Sequence, residues 1–190
     1  MPPFITHELL RGEYVYLARP VPADAERITK WSFDMEFSRM LRRSMVYPGS
    51  ISDTMKWFVN NEDESFYPFS IRTLVDDELI GTLGIKDVLW PNRTCSFFIG
   101  IGEADYRGRG LGKEAIQIML RWIFLEMNLN RVGLEVMAYN EAAIRSYRRV
   151  GFQDEGRLRQ FVYRDGVYYD VLLMSMMAAE WFALHPEYRR

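Results

Sequence analysis

Three strand-like segments, "YPFSIRTL" at 67–74, "ELIGTLGIKDVL" at 78–89 and "TCSFFIGI" at 94–101, follow one another almost without interruption. Each is rich in β-branched and aromatic residues, and the turns around "VDDE" and "WPNR" are too short for a parallel crossover, which takes a dozen residues or more. Neighbours joined this way pair antiparallel. Upstream, "EYVYLAR" at 13–19 reads as a further strand. It is followed by a helix in "RPVPADAERITKWSF", where Ala25, Ile28 and Trp31 share one face. A more irregular helical region spans about 35–62, with its own serine or aspartate cap before Met55, Phe58 and Val59. A chain of 190 residues that is 48% apolar suits one well-buried domain, expected over 1–190.

Downstream the organisation changes. "ADYRGRGLGKEA" at 104–115 opens an amphipathic stretch in which Ala115, Ile118, Met119, Trp122 and Ile123 recur at helical spacing. "RVGLEVMA" at 131–138 is a strand, so this part is a β-α-β crossover. "NEAAIRSYRRV" is a helix opened by Asn140 and stopped by Gly151. "FQDEGRLRQFVYRDGVYYDVLLMSM" is a hairpin turning at Asp165 and Gly166, and "AAEWFAL" is a last amphipathic piece.

Composition removes several chemistries. The net charge is −2 with basic residues scattered among 26 acids, so no footprint for nucleic acid exists. His7 and His185 are the only histidines and Cys95 the only cysteine, which disfavours a His-based triad or a His/Cys metal cluster and leaves no internal disulfide. We expect no metal. "AIQIMLRWIFLEM" is interrupted by Gln117, Arg121 and Glu126, so no membrane span is expected, and with no signal-like start a cytoplasmic location follows.

Glycines between a strand and a helix leave backbone N–H groups and the positive end of the helix dipole facing one place, which suits a phosphate or pyrophosphate. Arg107, Arg109 and Lys113 add positive charge there. A P-loop fails, because Arg107 stands at its first glycine and Glu114 follows Lys113. Gly110-Leu-Gly112-Lys-Glu-Ala115 satisfies the dinucleotide fingerprint, with Glu135 at a plausible distance. The antiparallel strands ahead of the loop speak against the doubly wound sheet this fingerprint needs.

Arg107-Gly108-Arg109-Gly110-Leu111-Gly112 also resembles the acetyl-CoA pyrophosphate loop of the GNAT superfamily of N-acetyltransferases. The likeness continues in "NEAAIRSYRRVGF", with Asn140, Ala143, Tyr147 and Gly151-Phe152 in the expected places, and it extends over most of the chain. It points to the branch that holds ribosomal-protein N-terminal acetyltransferases and related polyamine and antibiotic acetyltransferases. The resemblance implies an α+β fold of three layers (α/β/α). Its mixed, mainly antiparallel sheet would have about seven strands with a V-shaped splay between the fourth and fifth. It implies acetyl-CoA as co-substrate, an amine acceptor (protein N-terminus, polyamine or small molecule), and direct attack in a ternary complex. Ile99, Gly100 and Ile101 would then bind the pantetheine amides and polarise the thioester carbonyl. Residues 107 to 112 and Lys113 would take the pyrophosphate, with Asn140 lining the same groove. Tyr147 would donate a proton to the leaving thiolate.

Asn140 is equally suited to be a plain helix cap, and Tyr147 a packed aromatic. No base is assigned: residues 95–98 are Cys-Ser-Phe-Phe where a carboxylate is expected, and Glu135 and Asp87 are the remaining acids in range. A non-catalytic acyl-CoA sensor on the same fold therefore stays open. The aromatic and methionine-rich region from Trp31 to Tyr67 is expected to shape the acceptor site, with Asp34, Glu36 and Asp53 near a cationic amine. The oligomeric state is left open, a homodimer included.

Overall fold

The computed structural model describes residues 9–188. Seven strands form one sheet: β1 (Val15–Ala18), β2 (Tyr67–Thr73), β3 (Leu79–Leu89), β4 (Thr94–Ile101), β5 (Arg131–Met137), β6 (Gln153–Arg164) and β7 (Val167–Met177), in the order β1-β2-β3-β4-β5-β7-β6. The short turns make antiparallel neighbours of β2, β3 and β4, as their length requires. Among the described strands only β4 and β5 run parallel, joined by α4 (Leu111–Leu125). A sheet with one parallel pair is not doubly wound, so the dinucleotide reading of the glycine loop falls.

The parallel pair is short. Register between β4 and β5 holds from Thr94↔Arg131 to Ser96↔Gly133 and then stops, although β4 continues to Ile101 and β5 to Met137. Beyond Ser96 the two strands diverge, each still paired on its outer side, β4 with β3 and β5 with β7. This is the splay.

Helices cover both faces. α4 and α5 (Glu141–Val150) pack on one face, where Ala115, Met119, Ile123, Ile144 and Val150 join the inward residues of β1 to β5 in the main core. Each large apolar side chain buried there contributes about 1.5–3 kcal/mol. α6 (Ala178–Leu184) adds Trp181 to the same core. On the other face lie α1 (Ala25–Trp31) and α2 (Met35–Leu41). Here Trp31 packs on Gly102, and Phe37 and Leu41 pack on Gly100. Any side chain at Gly100 or Gly102 would collide with these residues.

The remaining boundaries have local causes. Region 35–62 is three pieces: α2, an irregular run over 42–50, and a short α3 (Ile51–Thr54) that widens into a π-turn over Met55–Val59. Asp34 caps α2 by accepting from the Phe37 N–H at 2.9 Å, and Ser50 caps α3 by accepting from the Asp53 N–H at 3.1 Å. Strand β1 begins two residues later than its alternation suggests, because the Glu13 and Tyr14 N–H groups donate to the Glu114 carboxylate. The β6–β7 turn places Asp165 and Gly166 at φ 49° and 85°, the pair of left-handed residues a two-residue hairpin favours.

Candidate active site

From the end of β4 the chain passes through a 3-10 turn over Ala104–Tyr106 and then the glycine loop into α4. Gly108 and Gly110 have φ of 74° and 85°, a region open to glycine and strained for other residues, and a Cβ at either would meet nothing within 4 Å. Among the described residues, the N–H groups of Gly108 through Lys113 donate to no acceptor; the first helix-closing bond in this stretch is Glu114 N–H to Gly110 O at 3.1 Å. Six consecutive donors, the start of a 15-residue helix and open space above the glycines make an anion cradle built from main chain. Arg109 leans over the Tyr106 ring at 5.6 Å, while Lys113 is exposed and forms no ion pair among the described residues.

Arg107 is used differently from the mobile charge its sequence position suggests. Its guanidinium donates to Ile101 O at 2.9 Å and Gly102 O at 2.6 Å, pairs with Asp34 at 3.0 Å, and lies 4.6 Å from the Phe37 ring centroid. It fastens α2 across the end of β4. Asp34 is thereby committed twice, to the α2 cap and to Arg107, and both interactions hold its carboxyl below the ordinary range. Asp53 is likewise committed, to Ser50 at 2.6 Å. Glu36 alone of the three expected amine-holding acids is exposed and has no ion-pair partner among the described residues.

Ile99, Gly100 and Ile101 lie on the diverging part of β4, paired to Leu83, Thr82 and Gly81 on one side and to no strand on the other. Asn140 caps α5 by accepting from the Ala143 N–H at 3.2 Å, and its NH2 donates to Met40 O at 3.2 Å. The cap reading of Asn140 holds, and the same side chain ties α5 to α2.

Tyr147 is 7% exposed, edge-on to Phe97 at 6.5 Å and to Phe152 at 5.7 Å. Its hydroxyl has no hydrogen-bond partner among the described residues, and burial raises its pKa above the phenol value, so the proton stays on at neutral pH. Cys95, 5% exposed on β4, is pushed up to about 12 by burial. A thiol so disinclined to ionise is a core residue. His185 lies tilted against the Trp181 ring, 4.7 Å between centroids, with its Nδ1 3.2 Å from Glu187, and His7 lies outside the described residues.

The splay opens a cleft of about 280 Å³ through the sheet. Phe97 and Leu134 line it from the α5 side, and Ser96, Phe98 and Glu135 from the other, with Leu41 and Arg43 above. Both acids left over from the sequence, Glu135 and Asp87, are on its wall. Glu135 is paired with Arg43, whose guanidinium also sits 5.7 Å from the Phe161 ring. Glu155 is paired with Arg131 and accepts from Ser175 at 2.7 Å; the guanidinium beside it lowers its pKa to about 2. The run 39–44 crosses the cleft like a strap: Arg39 pairs with Asp165 at 2.7 Å, Tyr139 donates to Arg39 O at 2.7 Å, and Arg164 donates to Arg42 O at 2.8 Å and Ser44 O at 2.9 Å. Sequence offered no signal for Arg43, since its partner is 92 residues away.

Among the described residues no group of three His, Cys, Asp or Glu is placed to hold a metal, and no helix is long and apolar enough to cross a membrane. A main-chain anion cradle beside a splayed, mixed sheet defines a transferase that takes its acyl group from a CoA thioester. Residues 15–153 match the family model for the acetyltransferase (GNAT) domain, and the chain belongs to that family. It is 30% identical over 155 residues to a prophage-derived uncharacterized N-acetyltransferase of Bacillus subtilis (strain 168), covering 80% of this chain and 86% of that protein. It is also 30% identical over 110 residues to the spermidine N(1)-acetyltransferase of Escherichia coli (strain K12), covering 58% of this chain and 59% of that protein. Among solved structures, spermidine N-acetyltransferase from Vibrio cholerae in complex with CoA and spermine superposes with a TM-score of 0.81. That match has 21% identity and covers 88% of this chain and 98% of that one.

Proposed function

We propose that the protein moves an acetyl group from acetyl-CoA to a primary amine by direct attack within a ternary complex. The observation that carries this reading is the row of six unpaired N–H groups from Gly108 to Lys113, at the mouth of the β4–β5 divergence. These groups bind the pyrophosphate, with Arg109 and Lys113 adding charge. Arg107 serves the same site from behind, by fixing the frame of β4, Gly102 and α2. The unpaired edge of β4 at Ile99, Gly100 and Ile101 takes the pantetheine amides, and one of its N–H groups polarises the thioester carbonyl. Asn140 holds α5 against α2 and so keeps the groove wall in place.

The chemistry then needs one base and one acid. Glu135, on the cleft wall, accepts a proton from the acceptor's ammonium, and the neutral amine attacks the thioester carbon. A C–N bond forms, the C–S bond breaks, and Tyr147 gives its proton to the thiolate. It recovers a proton from the amide nitrogen, and Glu135 releases the other to solvent. Burial keeps the Tyr147 phenol protonated at neutral pH, so a proton is in place when the thiolate departs, and passing that proton back from the amide nitrogen completes the transfer. Glu135 on the cleft wall supports a catalytic reading over a non-catalytic sensor despite the missing carboxylate on β4.

The test follows free thiol from acetyl-CoA with a panel of polyamines, aminoglycosides, amino acids and N-terminal peptides. Release that depends on an amine, and falls about 100-fold or more in Glu135→Gln, is expected. Tight CoA binding with no turnover on any amine would favour the sensor instead.

A further inference from the structure

The cleft is matched in charge within itself. Its wall carries three acids, Asp87, Glu135 and Glu155, and three bases, Arg43, Lys86 and Arg131. Glu155 is held by Arg131 and Glu135 by Arg43, while the neighbours Lys86 and Asp87 form no ion pair among the described residues. A site for a polycation needs an excess of carboxylates. Here each added ammonium group meets a guanidinium or ammonium already in place, and like charges brought together in a partly enclosed cleft repel.

Access to Glu135 decides what fits. Arg43 occupies the carboxylate that the acceptor's ammonium must reach, and it comes from the strap held at both ends by Arg39–Asp165 and Arg164. An entering amine therefore has to displace a guanidinium that has no other carboxylate partner among the described residues. An acceptor that brings its own anion solves both problems. Its ammonium takes Glu135, its anion takes Arg43, and one ion pair becomes two with no change in net charge.

We propose that the acceptor is an amine that carries a nearby carboxylate, of amino-acid type, and that Arg43 is the residue that selects it. The inference rests on the acetyl-transfer reading above and deepens it. Lys86, on the same rim, is the second cation within reach of such an anion.

The test compares three acceptors at fixed acetyl-CoA: β-alanine, its uncharged counterpart β-alaninamide, and spermidine. In the wild type, kcat/KM for β-alanine is expected to exceed that for the amide by about tenfold, the size of one charged hydrogen-bonded contact, and to exceed that for spermidine. Arg43→Ala removes the advantage over the amide, mainly through KM, Arg43→Lys keeps most of it, and Arg43→Glu shifts preference toward spermidine. A wild type that prefers spermidine, or an Arg43→Ala enzyme that loses equally on acid and amide, overturns the proposal. Failure of the underlying reading looks different: no amine releases thiol, although acetyl-CoA stabilises the fold.

Discussion

The two halves of the site are built from opposite materials. The glycine loop offers main-chain donors that no other described residue occupies, six in a row beneath open space. The acceptor cleft offers side chains already engaged with each other, Arg43 with Glu135 and Arg131 with Glu155. A cradle of backbone is rigid and indifferent to what lies beyond the phosphate, which suits a donor common to a whole family. A cleft of paired charges must exchange partners when it fills, and the exchange sets which acceptor is admitted. The donor half is a fixed receptor and the acceptor half a substitution.

The largest test of this contrast lies in the loop. Gly110→Val puts a branched side chain at φ 85° in the space left for the ligand, and acetyl-CoA affinity is expected to fall by 100-fold or more in calorimetry. Next in size is Tyr147→Phe. It keeps the ring packed on Phe97 and Phe152, so acetyl-CoA affinity stays within about twofold while kcat falls about 100-fold. An unchanged kcat would remove Tyr147 from the chemistry.

The smallest effect comes from the second ion pair. Glu155 has a folded pKa of about 2 against an ordinary 4.5, so its pairing with Arg131 stabilises fully above about pH 5 and is lost as pH falls toward 2. Both side chains are about one-third exposed, 30% for Arg131 and 34% for Glu155, so solvent screening leaves at most about 1 kcal/mol. Glu155→Gln should lose less stability than the wild type between pH 5 and 2 in denaturant titrations. Parallel pH curves for the two proteins would show that the pair contributes nothing.

The same contrast explains what could be read in advance. The loop, the Asn140 and Gly151 ends of α5 and the Asp165-Gly166 turn are local: each is dictated by residues within a few positions of one another. The antiparallel run and the single crossover followed from connection lengths, and the family likeness from the motifs at 107–112 and 140–152. The cap before Met55 was legible as well and falls to Ser50, whereas Asp34, expected near a cationic amine, caps α2 and Asp53 bonds Ser50. Arg107 was not legible, because its guanidinium is aimed by α2 and by the carbonyls at the end of β4. Arg43 and Glu135 are brought together only when the strap crosses the splay, and nothing near either residue in the chain announces the other.

Thermal unfolding with acetyl-CoA, NAD or ATP added separately tests the donor assignment most directly. At 100 times its dissociation constant, a ligand bound only by the folded state adds about 2.7 kcal/mol, which for a chain of this size raises Tm by roughly 5–10 °C. The account predicts that rise with acetyl-CoA, its loss in Gly110→Val, and no comparable rise with NAD or ATP. Stabilisation by NAD alone, with acetyl-CoA inert, would contradict it.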